Sequence, residues 1–223
     1  MSKNSVRDHL ESLERLNESP HIRLAITLVV AFILVSSYLL LNNNLEHKVD
    51  LLLPIDGWIP YLPWTVAIYV GLYPMYFIAA FTLSARQYVQ ILFGVIMMTC
   101  VSFICFALMT SHYPRPSPEA WADSVWRPLI DLIVTHDRPG NTCPSLHVST
   151  SLYVGWMLRS GRWGKTWLVC SLLISLSTLT LKQHFVWDWI GGSLLAGLMV
   201  YTQQTLWMRV LSNTRDAIEG EPS

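Results

Sequence analysis

The chain has 223 residues, 52% of them apolar and 13% charged, with a mean hydropathy of +0.38. A soluble domain carries about a quarter charged residues, so the composition excludes an ordinary water-soluble domain and describes a multi-span integral membrane protein. Fifteen acidic residues balance fifteen basic ones, which leaves no basic excess of the kind that binds nucleic acid, and the length suits one domain.

In chain order, residues 1–20 are polar with mixed charge and read as a cytoplasmic N-terminal segment. Residues 5–16 suit either a short amphipathic helix on the membrane surface or a solvated tail. No small-residue cleavage site follows the first apolar stretch, so that stretch is kept as a span. Stretches 24–41, 62–83 and 87–111 each approach or exceed the roughly 20 helical residues that cross a hydrocarbon core. Three more run over 144–158, 166–181 and 189–208. The fourth and fifth are short and rich in Ser and Thr, which bundled helices tolerate when neighbours shield them. The expected fold is all-α, a six-helix transmembrane bundle spanning 21–210, followed by a cytoplasmic tail (211–223) that is disordered from Arg215. There is no internal repeat.

Six spans put both termini on one side. Lys3, Arg7, Arg15, Arg23, Arg86, Arg159, Arg162, Lys165, Arg209 and Arg215 then share that side, ten of the fifteen bases. Excess Lys and Arg mark the cytoplasmic face, so the expectation is an inner-membrane protein with cytoplasmic termini and an active site facing outward. Of the other five, Arg115, Arg127, Arg138 and Lys182 lie where the candidate chemistry is. Cys100, Cys105 and Cys170 read as packing residues within spans, and Cys143 stands alone in an outer loop, so no disulfide framework follows. Trp58, Tyr61, Trp64, Trp121, Trp126, Trp187 and Trp189 fall where an interfacial aromatic belt is expected.

The longest connection, 112–143, holds three Arg-Pro pairs and ends in Asn141-Thr-Cys-Pro-Ser-Leu-His147, where the fourth span begins. Loops of that length are ordinarily functional or disordered. A helix start offers unpaired N–H groups and a positive dipole end to a phosphate or carboxylate. Ser145 suits the N-cap, with His147 in the first turn. The second feature is Lys182-Gln-His184-Phe-Val-Trp-Asp188. A helix starting by His184 would put His184 and Asp188 on one face. The carboxylate would then hold one imidazole nitrogen and leave the other free to act. A lone His at a helix end is ordinarily a hydrogen-bonded surface residue, and a His and Asp four apart is common. The interval from 147 to 184, however, fits one helix inward, a basic turn and one helix back. Both histidines and several cations then meet at one membrane face, where ionisable groups are functional by default.

These residues resemble the type 2 phosphatidic acid phosphatase superfamily, over roughly 50–208. Its second motif, Pro-Ser-Gly-His, stands here as Pro144-Ser145-Leu146-His147. The third, Ser-Arg-x5-His-x3-Asp, stands as Ser177-Thr178, then His184 and Asp188. The Pro-Ser-Leu-His and Lys-Gln-His forms, with Ile59-Pro-Tyr-Leu-Pro-Trp64, are more similar to the branch containing inositol phosphorylceramide synthases. The resemblance implies that His184 attacks phosphorus to give a phosphohistidine, oriented by Asp188. It implies that His147 protonates the leaving oxygen and then activates the acceptor, without metal or cofactor. Of the first motif, Lys-x6-Arg-Pro, only the Arg-Pro is present: position 108 is Leu. Arg115 is the favoured phosphate clamp and Arg138 the second, with Lys182, Ser145 and Asn141 as further phosphate-binding candidates. Thr178 stands where the motif has Arg, and Leu146 where it has Gly, a change toward a bulky lipid alcohol as acceptor.

The leading expectation is a lipid phosphatase or phosphotransferase acting on a phospholipid, sphingolipid or isoprenoid phosphate. The alternative is a non-catalytic lipid transporter or lipid-binding membrane protein. An intramembrane serine hydrolase using Ser145 or Ser149 lacks the Gly-x-Ser-x-Gly elbow.

Overall fold

The computed structural model describes residues 19–44 and 49–219, with the backbone course alone for 206–219. Residues 5–16, read as either a surface helix or a solvated tail, lie outside the described residues. The protein is predominantly helical: α1 (Pro20–Asn44), α2 (Val66–Tyr69), α3 (Leu72–Thr82), α4 (Ala85–Leu108), α5 (Arg127–His136), α6 (Leu146–Met157), α7 (Gly164–Thr180) and α8 (Val186–Glu219). Among the described residues, Pro20–Asn44, Pro63–Thr82 and Ala85–Leu108 are long and apolar enough to cross a membrane. Two short strands, β1 (Val49–Asp50) and β2 (Ser111–His112), pair in parallel outside the bundle.

The expected second span is broken. A 3-10 turn (Pro63–Thr65) leads into α2, and α3 starts after Gly71. Pro74 lacks an N–H and its ring collides with the carbonyl four residues back, at Val70, where the break falls. α4 starts on a capping box, with Ser84 Oγ accepting from Gln87 N and Gln87 Oε1 accepting from Ser84 N. α1 is tied to this corner by Arg23, whose guanidinium donates to the carbonyl of Leu83 at the end of α3. A cation there also suits the negative end of the helix dipole.

α6, α7 and α8 form the tightest part of the bundle. A Cβ on Gly155 would fall 2.2 Å from Ser171 Oγ, so α6 and α7 meet backbone to backbone there. The hydroxyls of Ser171, Ser175, Ser177 and Thr178 are buried, and each donates to a carbonyl three residues back, which removes their cost in an apolar setting. α6 has 12 residues and α7 has 17, both short for a span. α8 continues to Glu219, through the start of the segment expected to be a disordered tail. Phe32, Leu40, Ile104, Leu108, Leu194 and Leu198 point outward, as a lipid-facing surface requires. Cys100 and Cys170 are exposed on that surface too, and do not serve the packing role expected of them.

The long connection is folded. Amphipathic α5 and a 3-10 turn (Pro118–Trp121) cover the end of the bundle through Trp121, Ile130, Val66, Tyr69 and Leu181. Trp121 is therefore buried, its Nε1 donating to Asp131, instead of joining an interfacial belt, while Trp58, Trp64 and Trp187 are exposed.

α8 approaches the start of α6 at Gly192, where a Cβ would lie 2.7 Å from Ser145 O and 2.9 Å from Val148 Cβ. Backbone cannot yield there cheaply, so Gly192→Ala is expected to cost about 1–3 kcal/mol. Gly197→Ala, on the same helix with nothing within 4 Å, should be neutral or slightly stabilising. Thermal midpoints of both variants in detergent decide this; equal midpoints would mean the helices are not in close contact.

Candidate active site

His147 is the second residue of α6. Ser145 caps that helix, its Oγ accepting from Val148 N at 3.2 Å, and Ser145 N donates to Asp188 O at 3.2 Å. The start of α6 is thus bound to the first turn of α8. The His147 ring stacks on Tyr69 with centroids 4.0 Å apart and 13° between planes. Its Nδ1 lies 3.3 Å from Tyr69 Oη, and its buried Nε2 has no hydrogen-bond partner.

His184 does not lie in a helix. α8 begins at Val186, because Lys182 takes a left-handed backbone (φ 56°) and the chain closes a turn in which Thr178 O accepts from both Gln183 N and His184 N. The expected shared helix face is therefore replaced by a turn and a first helical residue group. Asp188, fully buried in the first turn of α8, accepts from Phe185 N at 2.9 Å through Oδ2. This is the acidic half of a capping box, at the positive end of the dipole. The same Oδ2 is 3.5 Å from His184 Nδ1, longer than a hydrogen bond, and Oδ1 has no partner. With Nδ1 turned toward Asp188, His184 Nε2 is the nitrogen available to a ligand.

The two imidazoles face each other with centroids 6.3 Å apart. Both line one end of a cavity of about 370 Å³, shared there by Tyr38, Tyr113, Asp137 and Asn141. Asn141 is in the left-handed region (φ 54°) and buried, and neither atom of its side-chain amide has a partner. A buried polar group without a partner is costly, so such a pair at a cavity wall is suited to a ligand. Asp137 Oδ1 accepts from Tyr38 Oη at 2.8 Å and Asn42 Nδ2 at 2.7 Å. Burial raises the Asp137 carboxyl above its usual range, against the lowering pull of Tyr38 and Arg115. Burial likewise holds the proton on Tyr113.

Residues 61–202 match the family model of the PAP2 superfamily. The chain belongs to the PAP2 superfamily. No match emerges among curated proteins or among solved structures. PAP2 membership points to a phosphatase-type enzyme of lipid metabolism, with a lipid phosphate as substrate and a membrane as its setting.

For a PAP2 protein, the remaining candidates divide sharply. Arg115 is mostly buried: its Nη1 donates to Val134 O at 3.0 Å and its Nη2 to Tyr113 Oη at 3.2 Å, 4.0 Å from Asp137. Tyr113 Oη in turn donates to Gln183 Oε1 at 3.3 Å, beside His184. Arg115 thus reaches the histidine end through one tyrosine, and its buried Nε has no partner. Arg138 is exposed, its Nη1 on Asn43 O at 3.0 Å, and lines neither cavity. Lys182 is turned to another partner: its Nζ donates to Asp56 O at 2.7 Å, and it lines a second cavity of about 510 Å³ with Arg115. Ser145 is buried as a cap and is outside the cavity wall. Thr178, in place of the motif arginine, is buried and satisfied within α7.

Sequence reasoning missed Tyr69, Tyr113, Asp137 and Asp56. Asp56 accepts from Leu53 N and Val186 N, tying the β1 connection to the start of α8. Tyr69 and Tyr113 carry no motif signal, whereas an acid directly before the Arg138-Pro139 pair could have marked Asp137. The Tyr69 stack makes a specific demand. Tyr69→Phe keeps the ring against His147 and should lower kcat only a few-fold, while Tyr69→Ala should lower it about tenfold more. The kcat–pH profile should shift with Ala and hold with Phe. Equal loss in both would assign the effect to the hydroxyl, and no loss in either would remove Tyr69 from the site.

Proposed function

We propose that this PAP2 protein is an integral membrane lipid phosphatase or phosphotransferase working through a phosphohistidine on His184, with its active site on the outer face and both termini cytoplasmic. The carrying observation is the pair of imidazoles, delivered by two separate elements, facing each other at the polar end of a largely apolar cavity, with a buried carboxylate behind one of them. His184 Nε2 attacks phosphorus as the bond to the lipid oxygen breaks, and Asp188 favours the imidazole bearing its proton on Nδ1. His147 gives its proton to the leaving lipid oxygen. Water or an alcohol then loses a proton to His147 and attacks phosphorus, the P–N bond breaks, and His184 is regenerated. Water releases phosphate; an alcohol yields a new phosphoester, the outcome favoured by Leu146 and by the resemblance to inositol phosphorylceramide synthases. Asn141, on the cavity wall beside the imidazoles, is assigned to a phosphoryl oxygen; Arg115, bonded to Tyr113 of that wall but outside it, would join by exchanging Asp137 for phosphate.

The test is phosphate release from a panel of phospholipid, sphingolipid and isoprenoid phosphates by the purified protein with EDTA present. Release identifies a phosphatase that needs no added metal. Headgroup exchange only when an alcohol is supplied identifies a transferase. Silence in both assays, with the protein folded, would favour lipid binding or transport.

A further inference from the structure

The cavity does not stop at the polar end. It continues between α1, α3 and α4, past Ala31, Leu34, Val35, Ile91, Leu92 and Val95. It ends where Thr27 Oγ1 meets Tyr88 Oη at 3.0 Å, with Tyr88 donating to Arg23 O at 2.8 Å. Below this, the Arg23 guanidinium bonds α1 to the end of α3. The far end is thus a cross-linked polar floor, and the stretch between floor and histidines is mostly hydrocarbon-lined, with Tyr76 and Thr99 among its walls. Thr27 and Tyr38 stand three turns apart on α1, so the apolar stretch is roughly 16 Å deep, the span of about a dozen extended carbons. A volume of about 370 Å³ lies in the range of small-molecule sites.

We propose that this cavity holds one hydrocarbon chain of the phosphorylated substrate, extended from the histidines to the Thr27–Tyr88 floor, and that the floor limits the chain length accepted. The proposal rests on reading His147 and His184 as the phosphoryl-transfer site. A terminal phosphate belongs at the end carrying Asn141 and the two imidazoles. A longer chain meets hydroxyls already engaged with each other and with a carbonyl, which it can displace only by leaving them unpaired.

The probes are straight alkyl phosphates from hexyl to octadecyl, presented to the full chain in mixed micelles at one mole fraction. The chain passes from the hydrocarbon of the micelle to that of the cavity, so kcat/KM should rise only severalfold from hexyl to about dodecyl, as the chain fills the cavity, and should fall for longer chains. Ala31→Phe fills the cavity mid-way and Ala79→Leu fills it near the floor. Each should move the maximum to shorter chains and lower the dodecyl-to-hexyl ratio severalfold, because the filled section can no longer take the end of the longer chain. A dodecyl phosphate carrying a diazirine on its last carbon should label residues 27–35 and 88–92. Label elsewhere, no label, or profiles that stay parallel in both variants overturns the chain site. Label in place without phosphate release from any probe would retain the chain site and remove the phosphoryl-transfer reading; release with label elsewhere would do the reverse.

Discussion

His184→Ala should reduce phosphate release or phosphotransfer by about 10⁴-fold or more, the scale on which removal of a covalent nucleophile acts. The imidazole is exposed enough to meet a ligand yet close to buried Asp188, whereas His147, at the same end of the cavity, has no carboxylate behind it among the described residues. The loss should be in kcat, with the protein folded and its thermal midpoint close to that of the native chain, because the backbone of the turn is held by Thr178 O and not by the ring. His147→Gln provides the complementary result. It should lower turnover of an alkyl phosphate by about 10²- to 10⁴-fold, the usual contribution of a general acid. It should cost much less in the first step with p-nitrophenyl phosphate, whose leaving group needs no proton. A base-stable, acid-labile phosphoryl label should then accumulate on His147→Gln and be absent from His184→Ala. More than a tenth of native activity in His184→Ala would falsify the covalent mechanism.

Asp188→Asn and Asp188→Ala separate the two tasks of one buried carboxylate. Its Oδ2 accepts from Phe185 N, closing the first turn of α8, and also stands behind His184 Nδ1. Asn retains an oxygen for Phe185 N but removes the charge that stabilises an imidazolium or fixes the tautomer. The expected result is a fold of near-native stability with kcat lowered about 10²- to 10⁴-fold, as when the carboxylate of a catalytic triad is made an amide. Ala removes the acceptor as well, leaves a buried N–H unpaired and should cost a further 1–3 kcal/mol or about that in stability. Kinetics and thermal midpoints on the same preparations distinguish the tasks. An Asn variant with full activity would make Asp188 a helix cap only.

Much of the arrangement was legible in the chain. Long uncharged stretches announce membrane helices because the bilayer leaves the backbone no other partners. Pro-Ser-Leu-His147 announces a capped helix start, and Ser145 is that cap. The interval from His147 to His184 is an up-and-back helical pair, and α6 and α7 supply it. The start of α8 was misplaced by about half a turn, because hydropathy and spacing do not report a left-handed residue such as Lys182. The two basic candidates nearest the motifs, Arg138 and Lys182, are engaged by carbonyls of Asn43 and Asp56 from other parts of the chain. No local pattern encodes such partners.

By itself, then, the sequence determined the membrane setting, the helical class, the family and the identity of the three residues proposed for chemistry, since each depends on composition or on short, fixed spacings. Tertiary structure alone decided that Arg115 bonds a tyrosine of the cavity wall while Arg138 and Lys182 are engaged elsewhere, that Tyr69 carries the His147 ring, that Asp137 stands against Arg115, and that an apolar cavity extends from the site to Thr27 and Tyr88. The reason is physical. A side chain's direction and its partners are set by packing between helices distant in sequence, and the free energy of a buried polar group depends on whether those partners arrive.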